Sequence, residues 1–461
     1  MPTTVAPPAS NLLTEAELEA VRRPFKAARL LPPRVFHDPA IFAFEQESWF
    51  GRDWICVGRA EEAANRGEYF LASVAGESVI VVRGADGDLR AFHNVCRHRG
   101  STILEESCGK VVRFQCPYHA WTYGLDGQLQ RAKHTDDLID FEPAENSLVP
   151  VRCETWQGFV FLSLDPAARP LVEVLDDLPG HFERFDFGSL RRARRITYEV
   201  TANWKAIAEN YSECYHCPGI HPQLNRLTPY DMGRNYLTDG PWEGGYMELV
   251  ANAETMSTDG HTHGRPALPG IEGDDLQRIY YYLVWPNLLM SLHPDYLLVH
   301  QVWPVAPGRS LVHCDWLFHP DTIAAPGFDP SDAVDFWDLT NRRDWHACEL
   351  QQRGTASRGY TAGRYSNQED SVHAFDLMCA DRYANDGRSS VREVKESRRR
   401  GDKDSEGWAN EPLAHEATHG HDLGVHRERT DARDRTDARE RTDARERADA
   451  GARAGSPSRI D

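Results

Sequence analysis

The stretch CRHRGSTILEESCGKVVRFQCPYH, residues 96–119, holds two ligand pairs, Cys96 with His98 and Cys116 with His119, separated by seventeen residues. Two thiolates and two imidazoles can hold tetrahedral zinc, and a structural zinc knuckle is one reading. Zinc sites usually space their ligands by two or more residues, however. The single residue between Cys96 and His98 suits two loops that each give one sulfur and one nitrogen to a two-iron cluster. Around the pairs, residues 54–164 read as short alternating runs such as YFLASVAGESVIVVRGADGDLRAFHNVC, broken by Gly-Glu, Ala-Asp-Gly and Leu-Asp-Gly turns. That pattern predicts a small antiparallel β domain. Trp121 and Tyr123 are expected as core packing beside the second loop, and Cys108 as a loop or buried thiol.

The spacing C-x-H, seventeen residues, C-x2-H resembles the Rieske [2Fe-2S] pattern, in which two histidines replace two cysteines on one iron and raise the potential. The resemblance implies Cys96 and Cys116 on one iron, with His98 and His119 on the other. Such proteins often carry Gly where Ala120 stands, a departure expected to cost only local loop geometry.

Outward from this segment, 461 residues exceed one ordinary core and predict two domains. Residues 1–45 read as a leader with a helix near 15–29. The first domain spans 46–165, with the aromatic segment 42–54 docked on it. The prolines of Asp165–Pro170 mark a boundary, and a mixed second domain follows over 171–384, opening with a helical run near 171–185. Residues 385–461 lose apolar content, and Thr-Asp-Ala-Arg recurs at Thr430, Thr436 and Thr442. A six-residue period matches no helical packing, so the expectation is a disordered charged tail. The net charge of -19 disfavours nucleic acid and anionic membranes as partners. No run approaches the ~20 apolar residues of a membrane span, which predicts a cytoplasmic protein. Ten cysteines without framework spacing divide into metal ligands and buried thiols, with no disulfide required.

Residues 203–221, NWKAIAENYSECYHCPGIH, carry a second candidate centre. On an unbroken helix His216 and His221 would point roughly 140° apart. Pro218 and Gly219 between them are expected to open the helix so that both rings converge; the bland alternative is a helix end with two satisfied histidines. Two histidines alone hold ferrous iron poorly, and an oxygen-activating site adds one carboxylate and leaves positions open. Asp344 in RDWHACELQQRG is the candidate, with Asp332, Asp335 and Asp338 as competitors.

With both motifs in order, residues 38–381 resemble the catalytic subunit of a Rieske non-haem iron oxygenase. The resemblance implies an α+β architecture: a small antiparallel β Rieske domain plus a helix-grip catalytic domain, an antiparallel sheet around a long helix. It implies a [2Fe-2S] Rieske cluster, and a mononuclear Fe(II) on His216, His221 and Asp344. It also implies a homotrimer in which a carboxylate, here Glu213, bridges His216 to His119 of the partner subunit. That carboxylate is usually Asp; Glu resembles the choline, glycine betaine and carnitine monooxygenase branch. The expected reaction is hydroxylation or N-demethylation of a quaternary ammonium compound with O2, and Tyr280, Tyr282, Trp285 and Trp303 are possible cage members. An aromatic ring-hydroxylating or O-demethylating oxygenase is the alternative. A Rieske electron carrier with a ligand-binding domain is a third reading. No Gly-rich dinucleotide fingerprint appears, so a flavin and iron-sulfur NAD(P)H-dependent reductase is the expected partner.

Overall fold

The alternating runs fold as expected, into strands whose apolar faces close on each other. In the computed structural model, which describes residues 12–236, 238 and 240–390, ten strands occupy the first half. They are β1 (Ile55–Arg59), β2 (Glu68–Val74), β3 (Glu77–Arg83), β4 (Leu89–His93), β5 (Cys108–Lys110), β6 (Phe114–Gln115), β7 (Thr122–Tyr123), β8 (Leu129–Arg131), β9 (Pro150–Trp156) and β10 (Phe159–Ser163). Seven form an antiparallel sheet in the order β1-β10-β9-β4-β3-β2-β5, and β6-β7-β8 form a small second one. Val79, Ile80, Val81 and Val82 of β3 are all fully buried, so this central strand is covered on both faces.

The second half contributes β11 (Arg191–Val200), β12 (Gly233–Tyr236), β13 (Trp242–Glu248), β14 (Arg278–Val284), β15 (Leu288–Leu292), β16 (Leu297–Ala306) and β17 (Arg309–Phe318). They form one antiparallel sheet, ordered β11-β17-β16-β15-β14-β13-β12. The helix Ser331–Thr355 lies on it, its apolar residues Ala333, Phe336, Trp337, Trp345 and Cys348 turned inward. Polar bonds fix its rotation. Asp338 accepts from the Tyr198 hydroxyl at 2.8 Å, Asn341 meets His300 Nε2 at 3.1 Å, and Gln352 accepts from the Asn203 backbone N–H at 2.9 Å. This is the expected antiparallel sheet with a long helix held in its grip.

Several local expectations need correction. The first helix stops at Arg22, because Pro24 cannot continue it; Phe25–Ala27 is a separate short turn. The run 171–185 divides into single turns, Leu171–Val174 and Leu178–His181, the second opening at Pro179. The segment 42–54 does not dock only on the first sheet. Trp49 packs on Trp204, Trp285 and Tyr383, while Glu45, fully buried, meets Lys205 at 2.6 Å and Trp204 Nε1 at 2.9 Å. A wholly buried charge needs a buried partner, and here that partner comes from the second half of the chain. The described residues accordingly belong to one compact unit. Most of the tail expected to be disordered, 391–461, and the first eleven residues lie outside the described residues. Among the described residues no helix is long and apolar enough to cross a membrane.

Candidate metal centres

The first candidate centre sits on two tight loops. Cys96 N–H donates to Ser101 O at 2.8 Å and Gly100 N–H to Cys96 O at 3.0 Å, closing one loop after β4. Cys116 N–H donates to Trp121 O at 2.8 Å and Ala120 N–H to Cys116 O at 3.1 Å, closing the other between β6 and β7. Both cysteines are buried, whereas His98 and His119 are exposed. The two rings lie 4.6 Å apart at 74°, and Trp121 stacks on His98 at 4.8 Å and 8°. Burial pushes the Cys116 thiol up, but backbone N–H groups of Tyr118 and His119 outweigh it and favour the thiolate. Two sulfurs at the base and two imidazoles at the rim fit a [2Fe-2S] cluster with one all-sulfur iron and one imidazole-bearing iron.

Two details were not visible in the sequence. Tyr123 is core, as expected, yet its hydroxyl accepts from Arg97 N–H at 3.1 Å and lies 3.3 Å from Cys96 Sγ, so its own proton points to the sulfur. Ala120 has φ of +56°, a left-handed conformation that suits glycine; retaining a Cβ there costs roughly 1 kcal/mol. Cys108, expected in a loop or buried, is exposed on β5, away from both pairs.

The second candidate centre begins with the helix Trp204–Tyr211, capped by the Asn203 side chain on Lys205 N–H at 3.0 Å. The chain then breaks, though not where the sequence suggested. Pro218 and Gly219 lie inside one helical turn, Cys217–Ile220, and the hinge is His221 itself, at φ −123° and ψ 61°. Pro222 causes this, since a proline drives the preceding residue out of the helical region. The two rings converge to 5.2 Å at 77°. Asp344, one face of the long helix, reaches them: its Oδ1 lies 2.6 Å from His221 Nε2 and 3.3 Å from His216 Nε2. One donor atom from each of the three lies within 4.8 Å of the others.

The competing carboxylates are engaged elsewhere or exposed. Asp332 pairs with Arg265, Asp338 with Arg342 and the Tyr198 hydroxyl, and Asp335 faces solvent. Glu213 Oε1 lies 2.5 Å from His216 Nδ1, on the ring edge opposite Asp344. Burial pulls the His216 pKa down, but bonds to Asp344 and Glu213 prevail and raise it to about 10. The same imidazoles hold the partly buried Asp344 carboxyl below its usual range, against desolvation. Two carboxylates on two imidazoles make a negative donor set, and with one face open it fits a divalent cation of the facial-triad type.

The centre forms one wall of a cavity of about 270 Å³. Tyr211, Tyr246, Tyr281, Trp345 and Glu243 line it, and Tyr280, Tyr282, Trp285 and Trp303 do not. The expected cage was one residue out of register. Strand side chains alternate, so Tyr281 faces the cavity while Tyr280 and Tyr282 pack on the other face with Trp242 and Phe182. The cysteine expectation also fails in part. Cys214 and Cys217 form a disulfide three residues apart, flanking His216, across a reverse turn closed by Cys217 N–H on Cys214 O at 3.0 Å.

A buried-sulfur, exposed-imidazole cluster site and a two-histidine, one-carboxylate site on a helix-grip sheet together define an oxygenase with its own electron store. Residues 53–142 match the Rieske [2Fe-2S] domain, and residues 187–385 match the ring hydroxylating alpha subunit catalytic domain. The chain is 31% identical over 366 residues to a glycine betaine monooxygenase oxygenase subunit of Pseudomonas aeruginosa, covering 73% of this chain and 84% of that one. It is 33% identical over 340 residues to the carnitine monooxygenase oxygenase subunit of Escherichia coli K12, covering 72% and 85%. A solved quaternary ammonium Rieske monooxygenase, CntA, in complex with L-carnitine superposes with a TM-score of 0.67 at 28% identity, over 80% of this chain and 99% of that one. The chain belongs to the Rieske non-haem iron oxygenases as a catalytic subunit, and with that family it carries a Rieske [2Fe-2S] cluster and a mononuclear iron.

Proposed function

We propose that this enzyme uses O2 and reductase-supplied electrons to hydroxylate or N-demethylate a quaternary ammonium compound. The observation that carries this reading is the convergence of His216, His221 and Asp344 on the wall of a tyrosine-lined cavity, with Glu213 at the back of His216. The names of the relatives, which act on glycine betaine and carnitine, supply the substrate class.

In this reading residues 46–165 hold the cluster through Cys96, His98, Cys116 and His119, and residues 171–384 hold the iron through His216, His221 and Asp344. When bound, the cluster supplies electrons singly and the iron supplies the place where O2 is activated. Glu213 fixes the orientation of the His216 ring through Nδ1, leaving Nε2 toward Asp344. Its remaining lone pairs suit the exposed His119 of the partner subunit in a head-to-tail homotrimer. That arrangement gives electrons a short path through two imidazoles and one carboxylate.

The balance is as follows. One oxygen atom enters a substrate C–H bond, and the other leaves as water with two electrons and two protons. An N-hydroxymethyl product then releases formaldehyde, the tertiary amine and a proton. Electrons come from a flavin and iron-sulfur NAD(P)H-dependent reductase, and the complex works in the cytoplasm. Formaldehyde production from quaternary ammonium substrates with a surrogate reductase is the expected result. Formation of cis-diols from arenes, with no quaternary ammonium turnover, would overturn the proposal.

A further inference from the structure

The cavity contains a buried carboxyl that the oxygen chemistry does not use. Glu243, on β13 across from Leu283 of β14, shares its sheet face with Tyr281, which pairs with Gly245. It is 1% exposed, and among the described residues neither of its carboxylate oxygens finds a hydrogen-bond partner. The Ser212 hydroxyl donates to Ala208 O at 2.7 Å and offers the Glu243 carboxyl only a weaker contact, which burial outweighs. A buried carboxyl without well-formed hydrogen bonds is costly, so a retained one points to a ligand that it meets. The hydroxyl of Tyr281 in the same cavity is likewise buried without a partner. Rings complete the corner: Tyr211 lies 6.2 Å from Tyr281 at 71°, and its position is fixed by a 2.7 Å bond from its hydroxyl to Met290 O.

The charge of the remaining wall is one-sided. Glu213, Asp231, Glu243, Asp344 and Asp370 are acidic, and among the described residues lining the cavity there is no lysine or arginine. We propose that Glu243, with the faces of Tyr211 and Tyr281, seats the cationic head of the substrate, and that the cavity selects a quaternary ammonium alcohol or amine over a zwitterion bearing its own carboxylate. This rests on the function proposed above and narrows its substrate class.

A quaternary ammonium has charge but no N–H, so a point carboxylate and aromatic faces satisfy it without directional hydrogen bonds. Away from the iron site, a substrate carboxylate would meet acidic side chains with no lysine or arginine to receive it, which discriminates by repulsion. Burial drives the Glu243 carboxyl well above its usual pKa in the empty cavity, so a cation must bring it to the ionised form. Proton release on binding follows from that.

The test is binding to the iron-loaded holoenzyme by titration calorimetry. The ligands are choline, glycine betaine and the neutral isostere of choline in which carbon replaces nitrogen. The expected result is that choline binds about tenfold or more tightly than either of the others. Glu243→Gln should weaken choline by a similar factor, leave the isostere unchanged and retain full iron content. Tighter binding of glycine betaine than choline overturns the inference while leaving the proposed function standing. Equal weakening of choline and isostere in Glu243→Gln makes the residue structural and also overturns it. Binding of neither cation overturns both readings. If the variant does not fold, the comparison of the three ligands on the unaltered enzyme still decides.

Discussion

Asp344 and Glu213 are both carboxylates within bonding distance of His216, yet geometry gives them different work. Asp344 Oδ1 meets the Nε2 atoms of both histidines, where a cation would sit, and Glu213 meets the far edge, Nδ1. Asp344→Asn should therefore reduce the iron content from three per chain to two while the cluster absorbance persists. Glu213→Gln should keep all three irons and lower coupled turnover at least tenfold, because it disturbs only the ring orientation and the electron path. Loss of mononuclear iron in the glutamine variant would reverse the assignment. Tyr123 gives a third residue-scale prediction. Its hydroxyl, 3.3 Å from Cys96 Sγ, is placed to donate to the thiolate, a bond that favours the reduced, more negative cluster. Tyr123→Phe should lower the cluster potential by roughly 40 mV, the one-electron equivalent of ~1 kcal/mol; an unchanged potential in protein-film voltammetry would show that the hydroxyl only packs.

At the scale of elements, the helix Trp204–Tyr211 is the junction on which the rest depends. Its first turn carries Lys205, fully buried against Glu45 at 2.6 Å, with Trp204 Nε1 and the Tyr383 hydroxyl on the same carboxylate. Its last turn leads into Glu213, His216 and His221. Deleting one partner of a buried ion pair strands the other charge, which costs about 3–5 kcal/mol. Lys205→Met should lower the unfolding free energy measured by urea titration by that amount, and Glu45→Gln combined with it should restore part of the loss. A surface-like effect below about 1 kcal/mol would show the pair to be hydrated. The same segment illustrates what the sequence could and could not convey. The convergence of His216 and His221 was expected from the sequence, but the break falls at His221, which Pro222 drives out of the helical region, and not at Pro218 and Gly219.

At the scale of the molecule, both candidate centres have one exposed or open edge, His98 and His119 at the first and the cavity at the second. In the proposed trimer these edges face each other across subunits. Equilibrium sedimentation should give three times the 52.2 kDa chain mass. A mixture of Cys96→Ser and Asp344→Asn chains, each inactive alone, should regain turnover when reassembled together. Failure to complement in a verified mixed trimer would place electron transfer within one chain. The sequence by itself determined the two candidate ligand sets, the sheet-and-helix classes and the family resemblance. Those depend on residue identity and local period, which a chain displays directly: C-x-H, C-x2-H, alternation by two, and the RDWHACELQQRG segment that carries Asp344. Only the tertiary structure decided which strand face meets the cavity, that Tyr281 and Glu243 line it while Tyr280 and Tyr282 do not, and that Glu45 is buried against Lys205. A strand reads the same whichever face is inward, and a carboxylate 160 residues from its lysine carries no local mark of the partnership. Register and long-range pairing are set by the summed burial of the whole fold, so they become visible only when it has closed.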